Sequence, residues 1–192
     1  MARIVVIDSS PLIGLAIVDG LAWLPKLFDV VFLPESVKQE VLPGKAARGE
    51  QAIAQAIAAG WLKVWPETIA PQLEIDLDAG ETDCINLGLS HADGVLIIMD
   101  ERAGRAVAKE KGLRVIGTAA IIGLAKKQGL IPSARAVFEV LHASDFRISA
   151  TVINQVLVSV NEKIYPDVLT EQSQGTLSEW NSAADDESYA NL

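Results

Sequence analysis

The chain has few of the residues that stabilise secreted or zinc-dependent folds. Among 192 residues there is one cysteine, Cys84, and there are two histidines, His91 and His142. A lone cysteine forms no internal disulfide, and no histidine stands beside it at a zinc-ligand spacing. No stretch reaches the roughly 18 to 20 apolar residues of a membrane-spanning helix, and the apolar run near the N-terminus is too short for a signal peptide. We therefore expect a cytoplasmic protein without a membrane partner, with Cys84 packed in its core.

Positive charge is also scarce. The formal net charge is −9, which by itself argues against a nucleic-acid partner. All 16 basic residues and 19 of the 25 acidic residues lie within residues 1–165, for a net charge of −3 there. If four of those acids share one cation site, the rest of this region is about neutral, so charge alone does not decide. We predict a domain over residues 1–165, followed by an acidic C-terminal tail over residues 166–192.

Short apolar segments alternate with helical patterns along the first 165 residues. Short, wholly apolar strands separated by helices indicate a parallel sheet that is covered on both faces. We predict an α/β fold with four or five parallel strands flanked by helices. The segments that predict strands are 4–7, 30–33, the alternating "WLKVW" at 61–65, 95–99 and 113–117. Helices are predicted from Pro11 with Ser10 as the N-cap, from Pro34, and at 46–60, 78–92, 102–112, 118–128, 133–143 and 149–162.

Two aspartates follow strands in the same way. Asp8 ends the apolar run "RIVVID", and Asp100 ends "VLIIMD". Ser10 is available to cap the first helix, so Asp8 calls for another explanation. The carboxyl ends of parallel strands meet at one edge of a sheet, where ligands bind. We therefore expect Asp8 and Asp100 to converge although 92 residues separate them.

Two glutamates are candidates for the same cluster. Glu40 borders the apolar stripe of its helix and lies too deep in that helix to compensate the helix dipole. Glu81 shares a helix face with apolar residues four, seven, eight and eleven positions later. Asp78 precedes Glu81 by three residues, which is also the spacing of a capping box. For Glu81, capping and ligand binding are equally supported by this spacing.

Four clustered carboxylates need a cation, because like charges repel one another at short range. Oxygen ligands without histidine or cysteine suit Mg²⁺ or Mn²⁺. Such ions activate water and stabilise the departing oxygen in phosphodiester hydrolysis. Arg102 and Arg105, one turn apart after Asp100, are candidates for phosphate contacts. Thr118 is a candidate for substrate binding or for capping the helix that follows it.

Four segments together resemble the PIN-domain family, in its prokaryotic branch related to VapC-type toxins. They are "VIDSSPLIGLA", "LPESVKQEV", "LDAGETDCINLGL" and "LIIMDERAGRAVAKEKGLRVIGTAAIIGLAKKQGLI". The resemblance covers roughly residues 3–160 and implies a PIN-like three-layer sandwich with an acidic pocket at the edge of the sheet. It places the catalytic and metal-binding acids of the family at Asp8, Glu40, Glu81 and Asp100. Asp83 and Glu101 stand near positions where many members have further acids.

The resemblance implies an Mg²⁺- or Mn²⁺-dependent ribonuclease that cleaves single-stranded RNA. A toxin role would bring a small antitoxin protein as partner, and members of the family commonly form homodimers. The alternative is a non-catalytic binding or scaffold module with the same fold. The acidic composition of the chain favours that alternative slightly, because negative charge opposes the approach of RNA.

Overall fold

The structure is a computed structural model, and it describes residues 4–71, 77–91 and 94–165. The predicted acidic tail over residues 166–192 lies outside the described residues. The chain divides into two compact units, Met1–Thr118 and Ala119–Leu192. In the described part of the chain, no single helix is both long and apolar enough to cross a membrane. One bent pair, Ser9–Ile17 with Gly20–Leu27, meets the length and composition only when its two members are taken together.

The first unit contains a five-stranded sheet. Its strands are β1 Ile4–Ile7, β2 Val31–Leu33, β3 Leu62–Val64, β4 Val95–Ile98 and β5 Arg114–Ile116. Their order is β3-β2-β1-β4-β5, and every neighbouring pair is parallel. Every residue of β4 is buried, as a wholly apolar strand in a covered parallel sheet should be. The predicted α/β class and the parallel sheet are confirmed, and the number of strands is five.

The helices of the first unit follow the strands in the expected alternation. They are α1 Ser9–Ile17, α2 Leu24–Leu27, α3 Glu35–Val41, α4 Glu50–Ala58, α5 Ala79–Ser90 and α6 Arg102–Glu110, with a 3₁₀ turn at Gly20–Trp23. Helix α3 packs against α1 and α5, and α5 and α6 each contact a strand, β4 and β5 respectively. The amino ends of α1, α3 and α6 each follow closely on the end of a strand. This connectivity gathers their first turns at the carboxyl edge of the sheet.

Two helix starts differ from the prediction by more than one residue. Helix α1 begins at Ser9 with Asp8 in the N-cap position, so Ser10 is inside the helix and is not its cap. Helix α4 begins at Glu50, four residues later than its alanine-rich sequence predicted. The backbone of Ala46 and of Gly49 is left-handed there, with φ of 54° and 84°, and this interrupts a helix. The turn at Gly20–Trp23 and helix α2 were not predicted, because four-residue elements carry too little periodicity.

The second unit contains the helices α7 Thr118–Lys127, whose first residue is the last residue of the first unit, α8 Ala134–His142 and α9 Ala150–Ser159. Glu162 fastens the segment after α9 to the start of α8. Its carboxylate accepts hydrogen bonds from the Ser133 hydroxyl and from the backbone N–H groups of Ala134 and Arg135, each at 2.9 Å. Burial alone would raise the pKa of Glu162, but these donors outweigh burial and lower it. The three helices predicted for this region, at 118–128, 133–143 and 149–162, are all present.

Candidate functional site

Asp8 lies at the carboxyl edge of the sheet directly after the central strand β1. Its backbone N–H donates to the Ile98 carbonyl at 3.0 Å, which ties Asp8 to the end of the neighbouring strand β4. The residue is 1% exposed, and its side chain makes no capping hydrogen bond. Its Oδ1 atom is buried without a hydrogen-bond partner. Asp8 therefore occupies the N-cap position of α1, but its side chain does not cap the helix.

The surroundings of Asp8 oppose its negative charge. Burial raises its pKa from 3.8 to about 8, the backbone N–H of Ser9 partly opposes this shift, and the charges of Asp78, Glu81 and Glu40 raise the pKa further. A lone buried carboxylate with acidic neighbours is costly unless it is protonated or binds a cation. Asp8 is thus poised to hold either a proton or a cation.

Glu81 reaches the same region from the first turn of α5. Asp78, the N-cap residue, accepts a 2.8 Å hydrogen bond from the backbone N–H of Glu81. Burial and the charge of Asp78 raise the pKa of Glu81, and the backbone N–H groups of Asp78 and Gly104 partly lower it. The Oε1 atom of Glu81 is buried without a hydrogen-bond partner. Capping and ligand binding are therefore compatible here, because the cap uses the backbone N–H of Glu81 and its Oε1 atom is left without a partner.

Two glycines allow this close packing. A Cβ atom on Gly80 would lie 3.2 Å from the Asp8 Oδ1 atom, and one on Gly104 would lie 2.5 Å from the Glu81 Oε1 atom. Asp78 is the member of the cluster that sequence reasoning assigned only to capping. Its charge raises the pKa of both Asp8 and Glu81. The signal that could have identified it is the "DAGE" motif, in which Gly80 leaves room beside Asp78 for the Asp8 carboxylate.

Asp100 stands at the same edge, two residues after β4. Both of its carboxylate oxygens accept hydrogen bonds from Thr118, Oδ1 from the backbone N–H at 2.8 Å and Oδ2 from the hydroxyl at 2.6 Å. Thr118 is fully buried, and it donates its hydroxyl to Asp100. Thr118 therefore orients an acid, and its predicted contact with a substrate stays a prediction.

The hydrogen bonds between Asp100 and Thr118 should contribute measurably to the free energy of unfolding. We expect Thr118→Val to lower the free energy of unfolding by about 2 kcal/mol, because the hydrogen bond from the Thr118 hydroxyl to a charged group is lost. Urea unfolding of this variant, of Asp100→Asn and of the double variant would measure the coupling. Additive effects of the two single changes would contradict the pairing.

The remaining predicted acids lie at the rim of the cluster. Glu40 is exposed on α3, and its charge acts on Asp8. Asp83 is half-buried and accepts a 2.6 Å hydrogen bond from the Ser36 hydroxyl. Glu101 is exposed before α6; it accepts a 3.4 Å hydrogen bond from Ser10, and its charge raises the pKa of Glu81. Of the predicted acids, Asp8 and Glu81 are the ones that bring unpartnered buried oxygens to this edge of the sheet.

The two predicted phosphate-binding arginines differ in exposure. Arg102 is exposed as the first residue of α6. Arg105 is 3% exposed, and its Nη1 atom donates to the Met99 carbonyl at 3.1 Å. This burial and this hydrogen bond favour a structural role for Arg105, and its phosphate contact stays a prediction. The one-turn spacing predicts similar positions for both arginines, but Arg102 is exposed and Arg105 is buried.

The donor set fits a hard cation that keeps most of its water. Among the described residues, no group of three or more histidine, cysteine, aspartate or glutamate side chains is arranged to enclose a metal ion. Mg²⁺ needs no such enclosure, because it is commonly held by one or two carboxylates while water completes its octahedron. Asp8 Oδ1 and Glu81 Oε1 supply two such oxygens, and both lack a competing hydrogen bond.

Ligands of open parallel α/β sheets bind at the carboxyl ends of the strands, and here that edge carries a cluster of acidic residues. A family model described as a PIN domain matches residues 4–162, most of the chain. The chain belongs to the PIN-domain family, whose members generally have a nuclease-type fold and typically use divalent metals. No curated protein and no solved structure matches the chain significantly.

Proposed function

We propose that the protein is an Mg²⁺- or Mn²⁺-dependent endoribonuclease that cleaves phosphodiester bonds of single-stranded RNA. The observation that supports this most is the pair of buried carboxylate oxygens, Asp8 Oδ1 and Glu81 Oε1, that have no hydrogen-bond partner. Their neighbours raise the pKa of both groups, so the pair gains from a cation. Membership of a family of nuclease-type folds supports the same reaction class.

The residues of the site would divide the work. Asp8 and Glu81 would hold the cation, which when bound would neutralise phosphate charge and favour attack by water. Glu40, exposed and close enough to act on Asp8, would accept a proton from the attacking water. Asp100, fixed by Thr118, would orient the water shell through its carboxylate. Arg102, at the exposed start of α6, would contact a phosphate.

We further propose that this nuclease is the toxin of a toxin–antitoxin pair. The support is the sequence resemblance to VapC-type toxins, which also favours a small antitoxin partner and a homodimer. Expression of the wild-type chain alone should then arrest growth, and Asp8→Asn should not. Normal growth with abundant wild-type protein would contradict the toxin role and leave the nuclease proposal standing.

Metal dependence tests the nuclease proposal directly. We expect the purified chain to cleave a single-stranded RNA in Mn²⁺ or Mg²⁺, to lose cleavage in a chelator, and to recover it when metal is restored. Glu81→Gln should lose most of this activity. Glu67→Gln is the matched control, because Glu67 is an exposed glutamate in the loop after β3. Equal cleavage by the two variants would overturn the assignment of Glu81.

The alternative function is a non-catalytic binding or scaffold module. Two observations favour it: the net charge of −9, and the lack of a three-residue metal group among the described residues. Calorimetric titration with Mn²⁺ separates the two functions. Binding that disappears in Asp8→Asn supports the nuclease, and no binding by the wild-type chain supports the module.

A further inference from the structure

The edge strand β3 carries two tryptophans on either side of a lysine. Trp61, Lys63 and Trp65 alternate with Leu62 and Val64 in the motif "WLKVW". Trp61 and Trp65 extend the backbone ladder beyond the strand, since the Trp61 carbonyl accepts from Val31 and the Trp65 N–H donates to the Leu33 carbonyl. Alternate residues of a strand point to the same face. Trp61, Lys63 and Trp65 therefore form a row along one face of the sheet edge, which we call the β3 strip.

The exposure of these residues fits neither a buried core strand nor an ordinary polar edge strand. Lys63 is exposed, and both tryptophans are half-buried, whereas Leu62 on the opposite face is fully buried. Lys63 makes no ion pair with any residue that the structure describes. A lysine alone protects an edge strand from association, but two flanking indoles would undo that protection. A bound ligand therefore explains this combination of residues better than edge protection does.

The indole of Trp65 is held in place from two sides. Its ring centroid lies 5.1 Å from that of Phe32 and 5.2 Å from that of His91, both edge-to-face. A ring that is already held fixed loses little conformational entropy when a second flat group stacks on it. Nucleobases present such a flat group, and stacking on aromatic side chains interspersed with cations is the general mode of binding single-stranded nucleic acid.

The strip and the acidic site lie toward opposite ends of α5. Val6 pairs with Phe32, and Phe32 pairs with Lys63. Trp65, however, contacts His91 at the end of α5, whereas the Asp8 Oδ1 atom lies beside Gly80 in the first turn of that helix. Two strand spacings separate β3 from β1, which is about 10 Å. Along α5, Gly80 and His91 are about 16 Å apart, so RNA stacked on Trp65 would have to extend along this helix to reach Asp8.

We propose that the β3 strip is a stacking subsite for single-stranded RNA, in which Trp65 and Trp61 stack bases and Lys63 contacts a phosphate. This proposal rests on the proposed function, since it takes RNA as the substrate. It goes further in naming the surface that holds the substrate outside the reacting centre. A protein partner would also favour tryptophan and a cation, and the test below distinguishes the two.

The test measures RNA binding apart from cleavage. An eight-nucleotide single-stranded RNA is titrated against full-length Asp8→Asn protein in a chelator, and fluorescence anisotropy is recorded. We expect Trp65→Leu to weaken binding about tenfold and Trp65→Phe to retain most of it, because the second change keeps a ring. Lys63→Gln should weaken binding and lower the salt slope by about one, while Lys26→Gln, at another exposed lysine, should not.

An oligomer of the same length without bases tests stacking without altering the protein. We expect it to bind about tenfold more weakly to the unaltered strip, which keeps the test decisive if Trp65→Leu does not fold. In the cleaving enzyme, Lys63→Gln should raise KM and leave kcat nearly unchanged.

Three results would overturn the subsite, and they differ in what they mean. If RNA is bound and cleaved equally by the wild type and the strip variants, the subsite is wrong and the nuclease proposal stands. If the wild-type chain neither binds nor cleaves RNA, both proposals fail. Loss of self-association or of protein binding in the strip variants, with RNA binding intact, would assign the strip to a protein partner.

Discussion

Asp8→Asn is expected to make the protein more stable and inactive. The folded-state pKa of Asp8 is about 8, against an ordinary value of 3.8. Between these two values the unfolded chain releases this proton and the folded chain keeps it, so stability falls as pH rises from about 4 to 8. The penalty grows by about 1.4 kcal/mol per pH unit and reaches about 4 kcal/mol at pH 7. Asparagine has no charge to bury and avoids this penalty.

Urea unfolding across pH checks this prediction. The gain of Asp8→Asn over the wild type should shrink to about 1.5 kcal/mol at pH 5 and vanish near pH 4. Asp29→Asn is the matched control, because Asp29 is an exposed aspartate before β2 and should show no such gain. A pH-independent difference, or a less stable Asp8→Asn protein, would contradict the burial of a carboxylate with a raised pKa.

The same variant tests the metal site. Mn²⁺ should raise the Tm of the wild type, because it binds the folded state and relieves the charge of Asp8. It should leave the Tm of Asp8→Asn nearly unchanged. RNA cleavage by the variant should fall by about 100-fold or more, since a cation of this kind supplies several kcal/mol of charge stabilisation. Cleavage at the wild-type rate would remove Asp8 from the catalytic site.

Gly104→Ala is expected to impair the site through Glu81. A Cβ at position 104 would lie 2.5 Å from both Glu81 Oε1 and Met99 Sδ, closer than atoms pack. Met99 is fully buried and Glu81 is 5% exposed, so neither side chain has open space into which it can move. Displacing a ligand oxygen by about 1 Å is expected to lower kcat/KM by about 100-fold. Stability should fall by about 1–2 kcal/mol, because strain exceeds the helical preference for alanine.

Gly88→Ala is the matched control for this prediction. It also lies inside a helix, α5, and its Cβ would lie 3.0 Å from the Ile97 and Leu113 side chains, which are aliphatic. We expect it to lose stability and to keep metal-dependent cleavage once folded. Cleavage and Mn²⁺ titrations of both variants make the comparison. Similar losses of activity would show that the effect of Gly104→Ala is general packing strain.

The order of elements and the class of fold could be predicted from local patterns. Wholly apolar strands of four or five residues, each followed by a helix, are consistent with little other than a covered parallel sheet. "WLKVW" was predicted as a strand from its alternation alone, and it forms β3, which lies at the edge of the sheet. The start of α1 was predicted wrongly. Ser10 before Pro11 and Asp8 after β1 are both suitable N-cap residues by local sequence, and in the folded chain Asp8 takes the N-cap position.

The candidate site was predictable only as a list of acids. Parallel topology places the ends of β1 and β4 side by side, so Asp8 and Asp100 could be named from their positions after strands. Spacing along α5 could not separate the two roles of Glu81, since capping depends on the backbone N–H and ligand binding on the carboxylate. Arg102 and Arg105 have the same spacing signal, and only burial separates them.

What the sequence by itself determined is the supply of groups: carboxylates after strands, apolar segments that must be buried, and too little cysteine and histidine for other metal chemistry. Only the tertiary structure decided which groups lose water and which keep a partner. Asp100 is paired with Thr118, while Asp8 Oδ1 and Glu81 Oε1 are buried without one. Burial and pairing depend on side chains from distant segments, and these two properties set the pKa of a carboxylate and its affinity for a cation.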